Sequence, residues 1–153
     1  MRAPHEINLP MSSPADAVFD SALGVVQNTK NLKILAVHTQ GRRLVAFENA
    51  KMSNPKIFAI GVDDLEGKGR LHVVVGTDPR TRKALLDGKF NKTAAGKYVE
   101  AVEAAVSGAA PAPSTPVANH YMQKKNQVPW EDPTVEPDID LGFSWLGLVA
   151  YMH

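Results

Sequence analysis

The chain has 153 residues, 17 Lys and Arg against 16 Asp and Glu, 11 prolines, 44% hydrophobic residues and no cysteine, a profile that fits one ordinary domain. The missing cysteine excludes a disulfide framework, thiolate zinc sites, Fe–S clusters and a cysteine nucleophile. No charged-then-apolar leader opens the sequence, and no apolar run approaches the roughly 18 to 20 residues that span a bilayer. A cytoplasmic location without a transmembrane segment is therefore the expectation.

The net charge of +1 conceals a local asymmetry. Between Lys68 and Lys97 there are eight basic residues against Asp78 and Asp87, whereas from Lys124 onward two basic residues face five acidic ones. Prolines are uneven as well. Six of the eleven lie between Pro111 and Pro137, a density that favours extended, semi-rigid backbone. The composition divides the chain into an N-terminal arm (1–12), a body (13–107), a Pro/Ala-rich linker (108–119) and an aromatic, acidic C-terminal arm (120–153).

In chain order, Ser13 can cap a helix whose first position suits Pro14, and Asp16 complements its positive end. Val18, Phe19, Ala22, Leu23 and Val26 then share one face, which predicts an amphipathic helix from Pro14 to about Thr29. From Lys33 the period changes to two. The run through Thr39 and the run Arg43 to Glu48 read as a hairpin, and Lys56 to Asp63 and Arg70 to Gly76 supply two further strands. Thr77-Asp78-Pro79 signals a second helix over Arg80 to Asp87, and Thr93 to Ser107 a third, closed by Gly108. The expected fold is α+β, an antiparallel four-stranded meander with helices on one face in the order α-β-β-β-β-α-α. Its other face needs a cover, and the C-terminal arm is one candidate.

No Walker loop, G-x-S-x-G elbow, H-E-x-x-H or Rossmann fingerprint is present. The five histidines are scattered, so no catalytic residue, metal site or cofactor is expected. Two segments stand out. A strand end running into a helix at Gly76 to Lys83 would set unpaired N–H groups beside Arg80, Arg82 and Lys83, which makes these three candidate anion contacts. Both tryptophans lie in the arm, and the uncharged run from Leu141 to Met152 is too apolar to favour water. Trp130, Phe143, Trp145, Leu146, Leu148 and Tyr151 are accordingly candidate partner-binding anchors.

The first functional reading is a non-enzymatic interaction or assembly subunit whose aromatic arm docks on its own or another subunit, making a homo-oligomer or a protein complex. The second is a small nucleic-acid-binding or anion-binding protein that uses residues 68–97. The third is an enzyme acting on a small ligand.

Overall fold

A computed structural model describes residues 1–140. Residues 141–153, with Phe143, Trp145, Leu146, Leu148 and Tyr151, lie outside the described residues.

Strand β1 (Arg2–Pro10) leads into helix α1 (Ala15–Asn28), followed by β2 (Leu32–His38), β3 (Arg43–Glu48), β4 (Lys56–Leu65) and β5 (Lys68–Thr77). Helix α2 (Asp87–Ser107) follows, and the described chain closes with β6 (His120–Gln123) and β7 (Asn126–Pro129). The strands form one antiparallel sheet in the order β1-β5-β4-β3-β2-β6-β7.

The α+β class and the meander of β2 to β5 agree with the sequence, but the sheet has seven strands rather than four. Residues 2–10 pair along β5, and residues 120–129 form a hairpin that adds to β2 through Ala36↔Tyr121 and Val37↔His120. The four-residue strands β6 and β7 are too short to show a period, and in β1 the alternating Ile7 and Leu9, which pack on the helix-side core, make a pattern too brief to announce a strand by itself. The helix count also differs. Arg80 to Leu86 is a turn and loop rather than a helix, and α2 instead begins at Asp87, six residues before the expected start. The local Thr-Asp-Pro signal is spent on a turn: Thr81 N–H donates to the Asp78 carbonyl at 3.1 Å, and the Thr81 hydroxyl donates to the same oxygen at 2.7 Å.

Strand alternation sorts the core. Leu44, Ala46, Phe58, Ile60, Val62, Leu71, Val73 and Val75 face the helices and meet Val18, Phe19, Ala22, Val26, Ala95, Tyr98, Val99 and Val102. The reverse face carries Leu35, Val45, Ile57, Ala59 and Val74 together with Trp130 and Ile139. Central strands buried on both faces read as continuous apolar runs, as Val73-Val74-Val75 does. At the β4–β5 hairpin, Glu66 (φ 55°) and Gly67 (φ 88°) take positive φ between the paired Leu65 and Lys68, the geometry of a two-residue turn whose twist matches the strands.

Candidate functional site

Between α2, the C-terminal end of α1 and the adjoining ends of β3 and β4 lies a chamber of about 380 Å³. Its apolar lining comes from Val25, Leu32, Phe58, Phe90, Ala94, Tyr98 and Ala101. The sequence places these groups by periodicity. Phe58 is a helix-facing residue of β4, and Phe90, Ala94, Tyr98 and Ala101 recur at three or four residues along α2. The Phe58 and Tyr98 rings meet edge-on, with centroids 5.8 Å apart at 66°. Tyr98 donates its hydroxyl proton to the Ala22 carbonyl at 2.8 Å, which joins α2 to α1. Burial pushes that hydroxyl far above the ordinary tyrosine range, so it stays a neutral donor.

One end of the chamber is polar. Glu48 and Lys56 are register partners across β3 and β4, on the same sheet side as Phe58, and the Lys56 ammonium lies 3.4 Å from the Glu48 carboxylate. Lys56 also donates to Ser53 Oγ at 2.6 Å and stands 5.9 Å from the Phe90 ring centroid. Lys97, Thr29 and Thr93 are the other polar residues of the lining. Two cations, Lys56 and Lys97, against the one carboxylate of Glu48 leave the lining as a whole net positive. No motif in the sequence singles out Glu48 and Lys56. The available signal was a lysine at a core-facing position, two residues before Phe58, where alternation predicts an apolar side chain.

Asp87 anchors the loops around this end. Its carboxylate accepts from Arg2 Nη2 at 3.1 Å, Asn54 Nδ2 at 3.1 Å and Ala84 N–H at 3.0 Å. Burial works to raise its pKa, but these hydrogen bonds and the Arg2 charge outweigh it and hold the group below the usual carboxylate range, because each favours the ionised form. Asn91 adds a second tie, donating to Ala3 O at 2.8 Å and Thr77 Oγ1 at 3.0 Å.

The structure does not bring Arg80, Arg82 and Lys83 onto a helix terminus. Arg80 is held by Asp78 through its guanidinium, while Arg82 and Lys83 sit on the exposed loop before α2. Trp130 is 5% exposed on the reverse sheet face. Its indole N–H donates to Asp132 O at 2.8 Å, and its ring meets His38 edge-on at 5.7 Å. The Gly41 amide donates to His38 Nδ1 at 2.9 Å, so the proton belongs on Nε2, which donates to Glu131 O at 3.1 Å. His72 pairs instead with Glu6 at 2.8 Å, three strands away. Among the described residues no group of His, Asp or Glu could hold a metal ion, and no helix is long and apolar enough to cross a membrane.

No family model matches the sequence, and no curated protein matches it either. Solved structures do. Ara h 8.0201 superposes with a TM-score of 0.53 at 12% identity, covering 69% of this chain and 97% of that one. DynU16, from the dynemicin biosynthetic locus, gives 0.53 at 9% identity over 74% of this chain, which spans half of DynU16. These neighbours are Bet v1-like folds, and the likeness is one of fold alone.

Proposed function

We propose that the chain is a binding protein for a small, mostly apolar molecule with an anionic end, held in the chamber between α2 and the sheet. The chamber carries this reading. Its volume lies in the range of small-molecule sites, and such sites combine an apolar wall with a few placed polar groups. Here the wall is Phe58, Tyr98, Leu32, Val25 and Ala101, and the polar groups are Lys56 and Lys97. An aliphatic or aromatic body would replace water along the wall, gaining about 25 cal/mol for each Å² of apolar surface covered. A carboxylate or sulfonate would sit at the cationic end and strengthen the hold on Lys56 beyond that of Glu48 alone.

The test is titration of the full chain with decanoate and, separately, decanol, followed by displacement of a fluorescent apolar dye. Decanoate should displace the dye and decanol should do so less well. Ala101→Phe, which fills the chamber, should abolish displacement, and Lys56→Met should remove the preference for the acid. Dye binding unchanged in Ala101→Phe with an intact melting curve sinks the proposal.

A second reading, assembly through residues 141–153, draws support from the reverse face. Trp130 and Ile139, from the segment that precedes residues 141–153 in sequence, are already buried against that face. Phe143→Ser with Trp145→Ser should lower the solution mass if those side chains join subunits; an unchanged mass argues against it.

A further inference from the structure

Beyond the chamber, two loops and the start of α2 place apolar side chains in water at one end of the molecule. Leu85 is 99% exposed and Met52 92%, and Leu86 and Phe90 stand beside them in sequence or in space. Their proximity is fixed by hydrogen bonds. Asn54 donates to Arg82 O at 2.8 Å and to Asp87 at 3.1 Å, which clamps the Met52 loop to the Leu85 loop. Phe90 N–H donates to Leu86 O at 3.0 Å, so the loop runs directly into the helix.

The charges around this lip have one sign. Lys51, Arg82, Lys83 and Lys89 are exposed and make no ion pair among the described residues. The acidic residues of the same segments, Asp78 and Asp87, are buried and occupied by Arg80 and Arg2. What reaches solvent is therefore a protruding apolar tip ringed by cations.

We infer that this lip docks on an anionic lipid surface, with Met52, Leu85 and Leu86 entering the headgroup region and Lys51, Arg82, Lys83 and Lys89 meeting phosphates. Nucleic acid would use the cations but gives Leu85 and Met52 nothing apolar to enter. A protein would need a pocket shaped to two projecting tips, whereas a bilayer accepts any protruding apolar chain that basic residues hold against it. Each cation near an anionic surface multiplies partitioning by about fivefold, and salt weakens that gain over a Debye length. The lip adjoins the chamber through Phe90, which lines both, but Met52, Leu85 and Leu86 lie outside the chamber lining, so the docking contacts themselves do not require a bound ligand.

Sedimentation of the full chain with vesicles tests it. Vesicles of phosphatidylcholine with about one third phosphatidylglycerol should retain the protein, pure phosphatidylcholine should retain little, and about 0.5 M salt should release it. Leu85→Glu with Met52→Glu should lower retention about tenfold or more without moving the melting temperature, since neither side chain is packed. Arg82→Gln with Lys83→Gln should lower it as well. Retention unchanged in the Leu85/Met52 variant would overturn the inference, because another segment would then be responsible. So would failure to bind anionic vesicles at low salt, and so would Leu85-dependent binding to an immobilised acidic polypeptide without vesicle binding, which would assign the lip to a protein partner.

Discussion

Gly24 of α1 lies directly against the main-chain carbonyl of Ala112, so closely that a Cβ at position 24 would fall inside that oxygen's contact radius. The Pro-rich segment thus crosses the helix as a strap. Gln27 secures it with a reciprocal pair, donating to Thr115 O at 3.1 Å and accepting from Thr115 N–H at 2.9 Å, and Ser114 donates to Asp20. Glycine in mid-helix costs about 1 kcal/mol relative to alanine, so Gly24→Ala would ordinarily stabilise. Here the methyl would have to push backbone aside. The expected outcome is a loss of about 1 to 3 kcal/mol in chemical denaturation, with α1 helicity retained and the strap becoming the first segment to be cut by limited proteolysis.

Tyr98 offers a spectroscopic prediction. Its hydroxyl is buried and given to the Ala22 carbonyl, and burial raises its pKa well beyond the ordinary value. An alkaline titration followed by tyrosinate absorbance should leave one of the three tyrosines silent until the chain unfolds. Tyr98→Phe should erase that late step and cost about 1 kcal/mol, the net worth of one neutral hydrogen bond.

Asp87 sets a pH dependence whose sign follows from its depressed pKa. A carboxyl group with a folded pKa below its unfolded value of about 3.9 stabilises the fold above that value and loses the contribution as pH falls through the folded pKa. Stability should therefore drop on the acid side of about pH 4. Asp87→Asn should be less stable at neutral pH, because Arg2 loses its charged partner, and its acid limb should be shallower. Equal slopes for the two proteins would remove Asp87 from the explanation.

The sequence resolves the centre of this fold better than its edges, and the reason is physical. β2 to β5 and the buried face of α1 are governed by side-chain periodicity, which is local and visible. β1 also alternates, with Ile7 and Leu9 on the helix-side core, but its place in the sheet is fixed by pairing with β5, and nothing in Arg2 to Pro10 announces that partner. The helix expected over Arg80 to Asp87 shows the opposite failure. Asp78 has the chemistry of a cap, but its carboxylate is taken by the Arg80 side chain and amide, and the backbone turns instead. Glu48 and Lys56 are not legible as a pair in the sequence because their pairing depends on strand register across a connection of seven residues. Trp130 was conspicuous as an anchor; which surface it would meet depended on a sheet face that only the assembled strands define.

That surface yields the final prediction. Trp130 packs with Leu35, Ala36, Val45 and Ile139 on the reverse side of the sheet, and its ring edge contacts a His38 whose two nitrogens are both engaged. Removing a buried tryptophan side chain costs about 3 to 5 kcal/mol, through lost burial and the cavity left behind. Trp130→Ala should therefore lower the denaturation midpoint substantially even at dilutions where subunits cannot associate. Trp130→Phe should recover part of the loss, because it restores an apolar ring without the N–H given to Asp132 and Val135. The emission of Trp130 in a Trp145→Phe background should be blue-shifted and should move to the red only on unfolding. If Trp130 acted as an anchor for another chain alone, Trp130→Ala would leave the dilute protein as stable as the parent and its emission would depend on protein concentration, two outcomes that a melting curve and a dilution series separate directly.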